Sequence, residues 1–571
     1  MIRTMFFIKL LSLLMALPPV IIFAQSLSPL SGTQSQNLPA ESDDFQASND
    51  GTLTVGIGGS FRIFKDAFLT TTNEINNLGT GANFVVETNA NLLQINEAAV
   101  NSGNITVERR VTDINNDLAT QMDYIYWSSP VLGQKTKGAG GFSPGTPSNR
   151  FYSYRESNDL FYETPDAQFV PGKGYAVRAE TGLNPVTAQN YINGYDKTYK
   201  FQGTPNNGLV TVPVKRSPNT GANGNIIHGY NLIGNPYPSN INFDQFYDIN
   251  SRVIYPTVWL WTNNSYTPGQ QAQGYNQNNY AVYNRTGGAA ATGSASGGGM
   301  LLKPDGLISV GQGFIVQARD LGDASVNFQH KFGRRDLRIA APANFYSRET
   351  LVKDRFWLHL ISPDNLVNSL LIGYIAGASN GFEVEYDAEL LAFSSDVFYS
   401  ILGDKNLQIQ GRDPFTTEDK VILGANFFKD AAYTISLEET EGIFATSQPV
   451  YLKDKETGRI INLSQGNYTF EASKGVSSGR FEIIYKPETV LGTGDIGLED
   501  ILVYRESGDF VVRSKSGKIT DLEVYEASGR LVYKVHPQNT KAVIAADRLT
   551  QGMYILKIMQ NGKITSKKIL K

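Results

Sequence analysis

The 571 residues carry a formal charge of −4 and no cysteine. This excludes a disulfide scaffold, thiolate chemistry and the basic surface of a nucleic-acid binder. The 55 glycines, 29 tyrosines and 30 phenylalanines, set against 7 methionines, describe a turn-rich aromatic β protein. Its length allows about three or four domains.

Residues 1–24 open with Arg3 and Lys9 around a short apolar run, which Pro18-Pro19 interrupts before the ~20 apolar residues that a membrane span needs. The pattern predicts a secretory signal peptide cut between Ala24 and Gln25. Losing Arg3 and Lys9 with it takes the formal charge from −4 to −6. Residues 25–50 are polar, Ser-rich and aperiodic, and read as a flexible leader. Over 51–110 the strand-like runs are short (Thr52–Val55, Asn83–Glu87, Asn91–Ile95, Asn104–Arg110) and turn at Asn or Gly. A stacked β-solenoid and an irregular sheet both fit them.

Residues 111–225 and 226–344 read as two copies of one β unit. Tyr126-Trp-Ser-Ser-Pro130, Phe151-Tyr-Ser-Tyr154, Gly172-Lys-Gly-Tyr175 and Phe201-Gln202 recur in order as Asn231-Leu-Ile-Gly-Asn-Pro236, Val258-Trp-Leu-Trp261, Gly311-Gln-Gly-Phe314 and Phe328-Gln329. Each Gly-x-Gly precedes a strand and has no third glycine or helix start, so both read as tight turns and not as phosphate loops. The second copy carries an insertion, Tyr275–Met300, whose Gly-, Ala- and Asn-rich text predicts a mobile surface loop. A helical turn is expected only at Phe243–Tyr247. Residues 345–486 hold about seven alternating strands, the signature of a β-sandwich. Residues 487–497 then form a linker.

Residues 498–571 read as a small antiparallel β domain, with hairpin signals at Ser528-Gly529 and Asn561-Gly562. Residues 513–571 hold twelve Lys or Arg against four Asp or Glu, a basic module on an acidic body. Three spaced elements occur here in order. They are Val524 and Tyr525 with Gly529 and Arg530; Leu549, Gly552 and Tyr554; and Gly562, Lys567, Lys568 and Lys571. The pattern resembles the C-terminal sorting domain of type IX secretion cargo in Bacteroidota, although Val503-Tyr504-Arg505-Glu506-Ser507 stands where members usually open Val-Tyr-Pro-Asn-Pro. The 111–335 stretch is similar to repeat-bearing ectodomains of flavobacterial cargo. The resemblance implies recognition by the type IX outer-membrane export machinery and a secreted or cell-surface location at the outer-membrane exterior.

Few residues are arranged for chemistry. The histidines His228, His330, His359 and His536 lie on separate segments without metal-ligand spacing, and His359 reads as structural. Gly475-Val-Ser-Ser-Gly479 matches a nucleophile elbow, but a strand follows where a helix is required, which predicts a hairpin turn. Glu383, Glu385 and Asp387 would share one face of a strand, a set of oxygens suited to Ca²⁺ but lacking a calcium-loop motif. An aromatic group, Trp259, Trp261, Tyr266, Tyr275, Tyr280 and Tyr283, suits sugar stacking if exposed, and reads more plainly as core plus loop. No metal, cofactor or catalytic residue is assigned. The expected protein is an all-β, multi-domain, non-catalytic, structural or adhesive surface protein; a surface polysaccharide to bind or degrade is the alternative.

Overall fold

The computed structural model describes residues 45–47, 51–114, 123–180, 195–262, 279–294, 301–332, 335–339, 353–391, 395–487, 501–506, 509–514, 517–526 and 528–571. The chain divides into two compact units, Met1–Lys486 and Pro487–Lys571. The described residues are mostly strands gathered into many sheets, and the fold is all-β and multi-domain. The predicted signal peptide and its cleavage residues Ala24 and Gln25 lie outside the described residues. Within the predicted leader, Phe45–Ala47 form a strand antiparallel to Leu53–Val55, so order begins earlier than the polar composition suggested.

The first layer is a solenoid. Strands pair in parallel with partners 22 or 23 residues further on: Leu53 lies opposite Ile75, Phe61 opposite Phe84 and Phe68 opposite Asn91. A third rung starts where Val85 pairs with Thr106. Parallel stacking puts like residues above one another. The Asn96 amide therefore donates to the Asn73 side chain at 2.8 Å, and Thr52 to Glu74 at 3.1 Å, satisfying polar groups at the corners. Leu53, Val55, Ile75, Phe84, Val86 and Leu92 point inward. The third-rung strand Ile105–Ile114 then pairs antiparallel with Tyr195–Pro205, so the solenoid shares one core with Trp127, Phe151, Tyr175 and Phe201 of the first repeat.

The two repeats have the same strand order. In the first sheet Leu160–Glu163, Phe151–Arg155, Tyr175–Arg178 and Tyr124–Trp127 lie side by side, all antiparallel. In the second the corresponding strands are Tyr280–Asn284, Ile254–Trp261, Gly313–Ala318 and Tyr230–Gly234, with Gly287–Ala289 added at the edge. The sheets meet through their Gly-x-Gly turns in a reciprocal exchange. The Ser128 N–H donates to the Gly311 carbonyl and the Gly234 N–H to the Gly172 carbonyl, each at 2.9 Å. A Cβ on Gly174 would lie 2.6 Å from the Ile233 carbonyl oxygen, and one on Gly234 would lie 2.3 Å from Ser128 Cβ. Gly172 and Gly311 also hold positive φ, +76° and +72°. The glycines thus allow two backbones to cross in contact.

Two further features bind the body together. Arg338, fully buried, donates to the carbonyls of Leu92 and Gln94 in the solenoid and to Asn207 and Ser239, and lies over the Tyr237 ring. The insertion supplies the second feature and corrects the expected mobile loop. Its described part holds the strands Tyr280–Asn284, Gly287–Ala289 and Gly293–Ser294, mostly buried over 279–293, and Gly293-Ser294 pair with Val367 and Leu366 of the next region. Its residues are small because large ones pack on them: the Trp357 indole donates to the Gly288 carbonyl at 2.7 Å, and Ala289 joins Trp357 and Leu371 in one apolar cluster. The helix Phe243–Asn250 is longer than the one turn expected, capped where the Asn242 side chain accepts from Gln245 N–H.

From Asp354 to Ile484 the strands form one continuous sheet that curls so that both ends share a core. Phe470 near one end touches Phe481 towards the other, with ring centroids 4.7 Å apart. This is the sandwich-like region. The Gly475–Gly479 stretch is not the expected hairpin turn. It opens the strand Gly475–Ile484, with a register shift opposite Leu423 and Gly424, and it raises no serine.

The close crossing makes a sharp demand on sequence. Gly174→Ala is expected to destabilise the body by about 2–3 kcal/mol, the usual cost of forcing atoms into a filled site. Gly466→Ala, with nothing within 4 Å of the new Cβ, should be neutral or stabilising by about 0.4–1 kcal/mol. Urea unfolding of the two variants checks this, and equal midpoints would contradict it.

Candidate functional site

Alternation along the repeat strands sends every second residue to the face away from the cores. In the first sheet Trp127, Phe151 and Val177 enter the solenoid core, leaving Tyr124, Tyr126, Tyr152, Tyr154 and Phe161 on the other face. In the second sheet Val258, Leu260, Tyr283 and Phe314 enter a second core, leaving Trp259, Trp261, Tyr280 and Ile315 outward. These two aromatic faces, with the 382–391 segment and Lys405 as a further wall, line a cleft of about 1040 Å³. Tyr126 and Trp261 stack across the two repeats at 5.3 Å and 16°, and the hydroxyls of Tyr126 and Tyr280 are 2.8 Å apart. The Trp261 indole donates to the Tyr124 carbonyl at 2.9 Å.

The sequence-predicted aromatic group therefore divides. Trp259, Trp261 and Tyr280 reach the cleft, whereas Tyr283 is core and hydrogen-bonds Asp244. Tyr266 and Tyr275 lie outside the described residues. The first repeat's half of the cleft was missed, yet Tyr-Ile-Tyr-Trp and Phe-Tyr-Ser-Tyr carry the same period-two signal.

The phenols remain neutral. Burial, then the neighbouring Tyr152, pushes Tyr124 up to about 12, and burial also raises Tyr154, Tyr230 and Tyr280. The charged groups on the lining are occupied. Asp159 accepts from the Tyr154 hydroxyl at 2.6 Å and pairs with His228 at 2.6 Å, and His228 in turn meets the Thr220 hydroxyl at 2.9 Å. Glu389 pairs with Lys405 at 2.7 Å. Arg216 donates to the carbonyls of Ala318 and Arg319. Asp387 accepts the Glu383 and Gly411 N–H groups, at 2.7 and 2.9 Å.

The last pair of contacts corrects the calcium geometry. Residues 383–387 form a turn, not a strand, so Glu383, Glu385 and Asp387 do not share a face. Glu383 is committed to the Ser379 N–H, and Glu385 lies at 3.5 Å from the Tyr247 hydroxyl. Among the described residues no group of three His, Asp or Glu could hold a metal ion. The histidines stay apart: the His330 N–H donates to the Glu97 carboxylate, His359 lies in the strand Asp354–Ile361, and His536 pairs with Asp521.

In the C-terminal unit, Val524, Leu549 and Tyr554 are core residues of a four-stranded antiparallel sheet and the strands beside it. The Tyr525 hydroxyl and Lys534 both bond Glu523, which Lys534 and then Tyr525 hold down at about 2. Gly529, at φ +83°, turns the chain between Glu526 and Arg530, whose side chains pair. Asn561 and Gly562, both at positive φ, turn Met553–Gln560 into Lys563–Leu570. That last strand carries Lys567 and the exposed Lys568. Lys571 bonds Gly552 through its backbone, and its ammonium donates to the carbonyls of Ala546 and Leu549.

Residues 506–571 match the secretion system C-terminal sorting domain. The chain is type IX secretion cargo. The match starts after the departing Arg505, so the unusual opening lies at its very edge. Residues 33–485 match a family described as a domain of unknown function, DUF8693, and the chain belongs to that family. Among curated proteins none matches. One similar solved structure is that of PorZ, an essential bacterial surface component of the type-IX secretion system of Porphyromonas gingivalis. It is 11% identical with a TM-score of 0.11, and the alignment covers 51% of this chain but only 49% of PorZ. Another is the BSP domain of a biofilm associated protein, 10% identical with a TM-score of 0.10, covering 80% of this chain and 97% of that one. Scores this low carry no argument.

Two buried groups give the cargo's body opposite pH dependences. Burial pulls His359 down to about 4; Glu438 opposes this and Lys303 adds to it. The unfolded imidazole binds its proton near 6.5, so stability is complete above that pH and is lost as pH falls towards 4, by about 3 kcal/mol. Burial raises Asp387 to about 7 against its backbone hydrogen bonds, so its contribution is present at low pH and lost as pH rises through 7. His359→Gln should therefore gain stability relative to the parent, by about 2–3 kcal/mol between pH 6.5 and 4. A urea-midpoint difference that stays constant across that range would contradict the assignment.

Proposed function

We propose that the body is a non-catalytic adhesive module displayed at the outer-membrane exterior, and that the aromatic cleft is its contact surface. The observation that carries the reading is the cleft itself: two repeats of one unit turn their aromatic faces to a common space of about 1040 Å³, on a chain whose tail sends it out of the cell. A concave space lined by clustered, buried or half-buried rings with a few polar groups among them is the usual form of a ligand-binding cleft. The predicted signal peptide ending at Ala24 fits the first step of that route, into the periplasm, and the tail fits recognition by the outer-membrane export machinery.

The rival reading, a polysaccharide-degrading enzyme, needs one carboxylic acid and one free carboxylate facing each other across the substrate. Asp159, Asp387 and Glu389 do line the cleft. Each is already taken by Tyr154 and His228, by two backbone N–H groups, or by Lys405. That favours binding over bond cleavage.

Deleting the chain from the producing bacterium is expected to lower its attachment to surfaces or neighbouring cells several-fold. Restoring Trp261→Ala in place of the parent should leave the defect largely uncorrected while the protein still reaches the surface. Unchanged attachment on deletion would overturn the adhesive reading.

A further inference from the structure

We propose that the cleft binds a neutral oligosaccharide, stacked on the Tyr126–Trp261 platform between the two repeats; this rests on the cleft being the contact surface. Three observations select the ligand class.

The first is shape and surface. A pyranose ring has apolar C–H faces and a rim of hydroxyls, and it needs flat rings beneath it with polar groups around them. Here Trp261 is half-buried and lies parallel to Tyr126 at 5.3 Å, with Tyr280 set edge-on to Trp261 at 5.1 Å. The phenols of Tyr154 and Tyr230 and the amides of Asn219, Asn225 and Gln317 lie on the same lining. A lipid chain would meet too many of these polar groups. At about 1040 Å³ the cleft is at the top of the ~300–1,000 Å³ usual for ligand sites, which favours an oligomer over a single sugar.

The second is charge. The lining carries Asp159, Asp387 and Glu389 against Arg216 and Lys405, and all five are engaged within the protein. An acidic glycan, a nucleic acid or a charged peptide would have to break one of these pairs to find its own, leaving a desolvated charge behind. A neutral ligand leaves them intact.

The third is an unsatisfied donor. Trp259, in the cleft wall, is 5% exposed, and its indole N–H has no hydrogen-bond partner. A buried donor left unpaired is destabilising. A bound hydroxyl that reaches this nitrogen would give it an acceptor.

The test is an array of immobilised hexasaccharides probed with the full exported protein. Neutral probes are β-1,4-glucan, α-1,4-glucan and β-1,4-mannan hexamers, and acidic probes are oligogalacturonate and heparin fragments. Binding to at least one neutral hexamer is expected, with Trp261→Ala weakening it tenfold or more. Tyr280→Phe, which loses only a hydroxyl, should weaken it a few-fold and guards against a folding defect in the first variant. Preference for acidic probes, or binding that both variants leave unchanged, would overturn the proposal. If no glycan binds, but Trp261→Ala still abolishes attachment of whole cells, the ligand class is wrong and the adhesive cleft stands. If attachment is also indifferent to Trp261→Ala, both fall.

Discussion

The body depends on two backbones crossing in van der Waals contact. Where Ser128 meets Gly311 and Gly234 meets Gly172, each repeat donates a hydrogen bond to the other's Gly-x-Gly turn. A side chain at Gly174 or Gly234 would strike main-chain or Cβ atoms at under 3 Å. Backbone groups buried at such a junction must find partners, and the exchange satisfies both sides with one geometry used twice. It also fixes the two sheets relative to each other, which sets where their outer faces point. The Tyr126–Trp261 stack and the cleft around it follow from that crossing.

The remaining body braces this pair from two sides. The solenoid merges with the first repeat through a shared core and reaches the second through Arg338, a buried cation with four hydrogen-bond partners and no carboxylate among them. Burial lowers its pKa to about 10, which still leaves it charged at neutral pH. The curled sheet beyond Asp354 grips the second repeat by packing Trp357 and Leu371 on Ala289. The tail, a separate compact unit with its own core, carries the export information. The cargo and its address are thus distinct modules on one chain.

Much of this was legible in the sequence where periodicity and order suffice. The tail's spaced glycines and aromatics identified the sorting domain, and the Asn- and Gly-punctuated runs suited a solenoid. Ordered matches between Tyr126-Trp-Ser-Ser-Pro130 and Asn231-Leu-Ile-Gly-Asn-Pro236 read as one duplicated β unit, and these segments lie in two sheets with the same strand order. What failed depended on long-range partners. Gly287–Ser294 looked like a loop because small residues cannot build a core alone; Trp357, far along the chain, supplies the bulk. Glu383 to Asp387 alternated like a strand, but backbone bonds from Tyr386 and Asp387 to Glu383 close a turn. Alternation revealed that Trp259 and Trp261 share a face but not which face met a core, and so the cleft emerged only with the fold.

The most direct measurement is amide hydrogen exchange at Ser128 and Gly234 in the intact protein. The reciprocal crossing requires both amides to be strongly protected and to lose protection together as denaturant rises, since each bond holds the same junction. Rapid exchange at either, or protection lost at one well before the other, would mean that the sheets are not locked in this way and that the cleft between them has no fixed form.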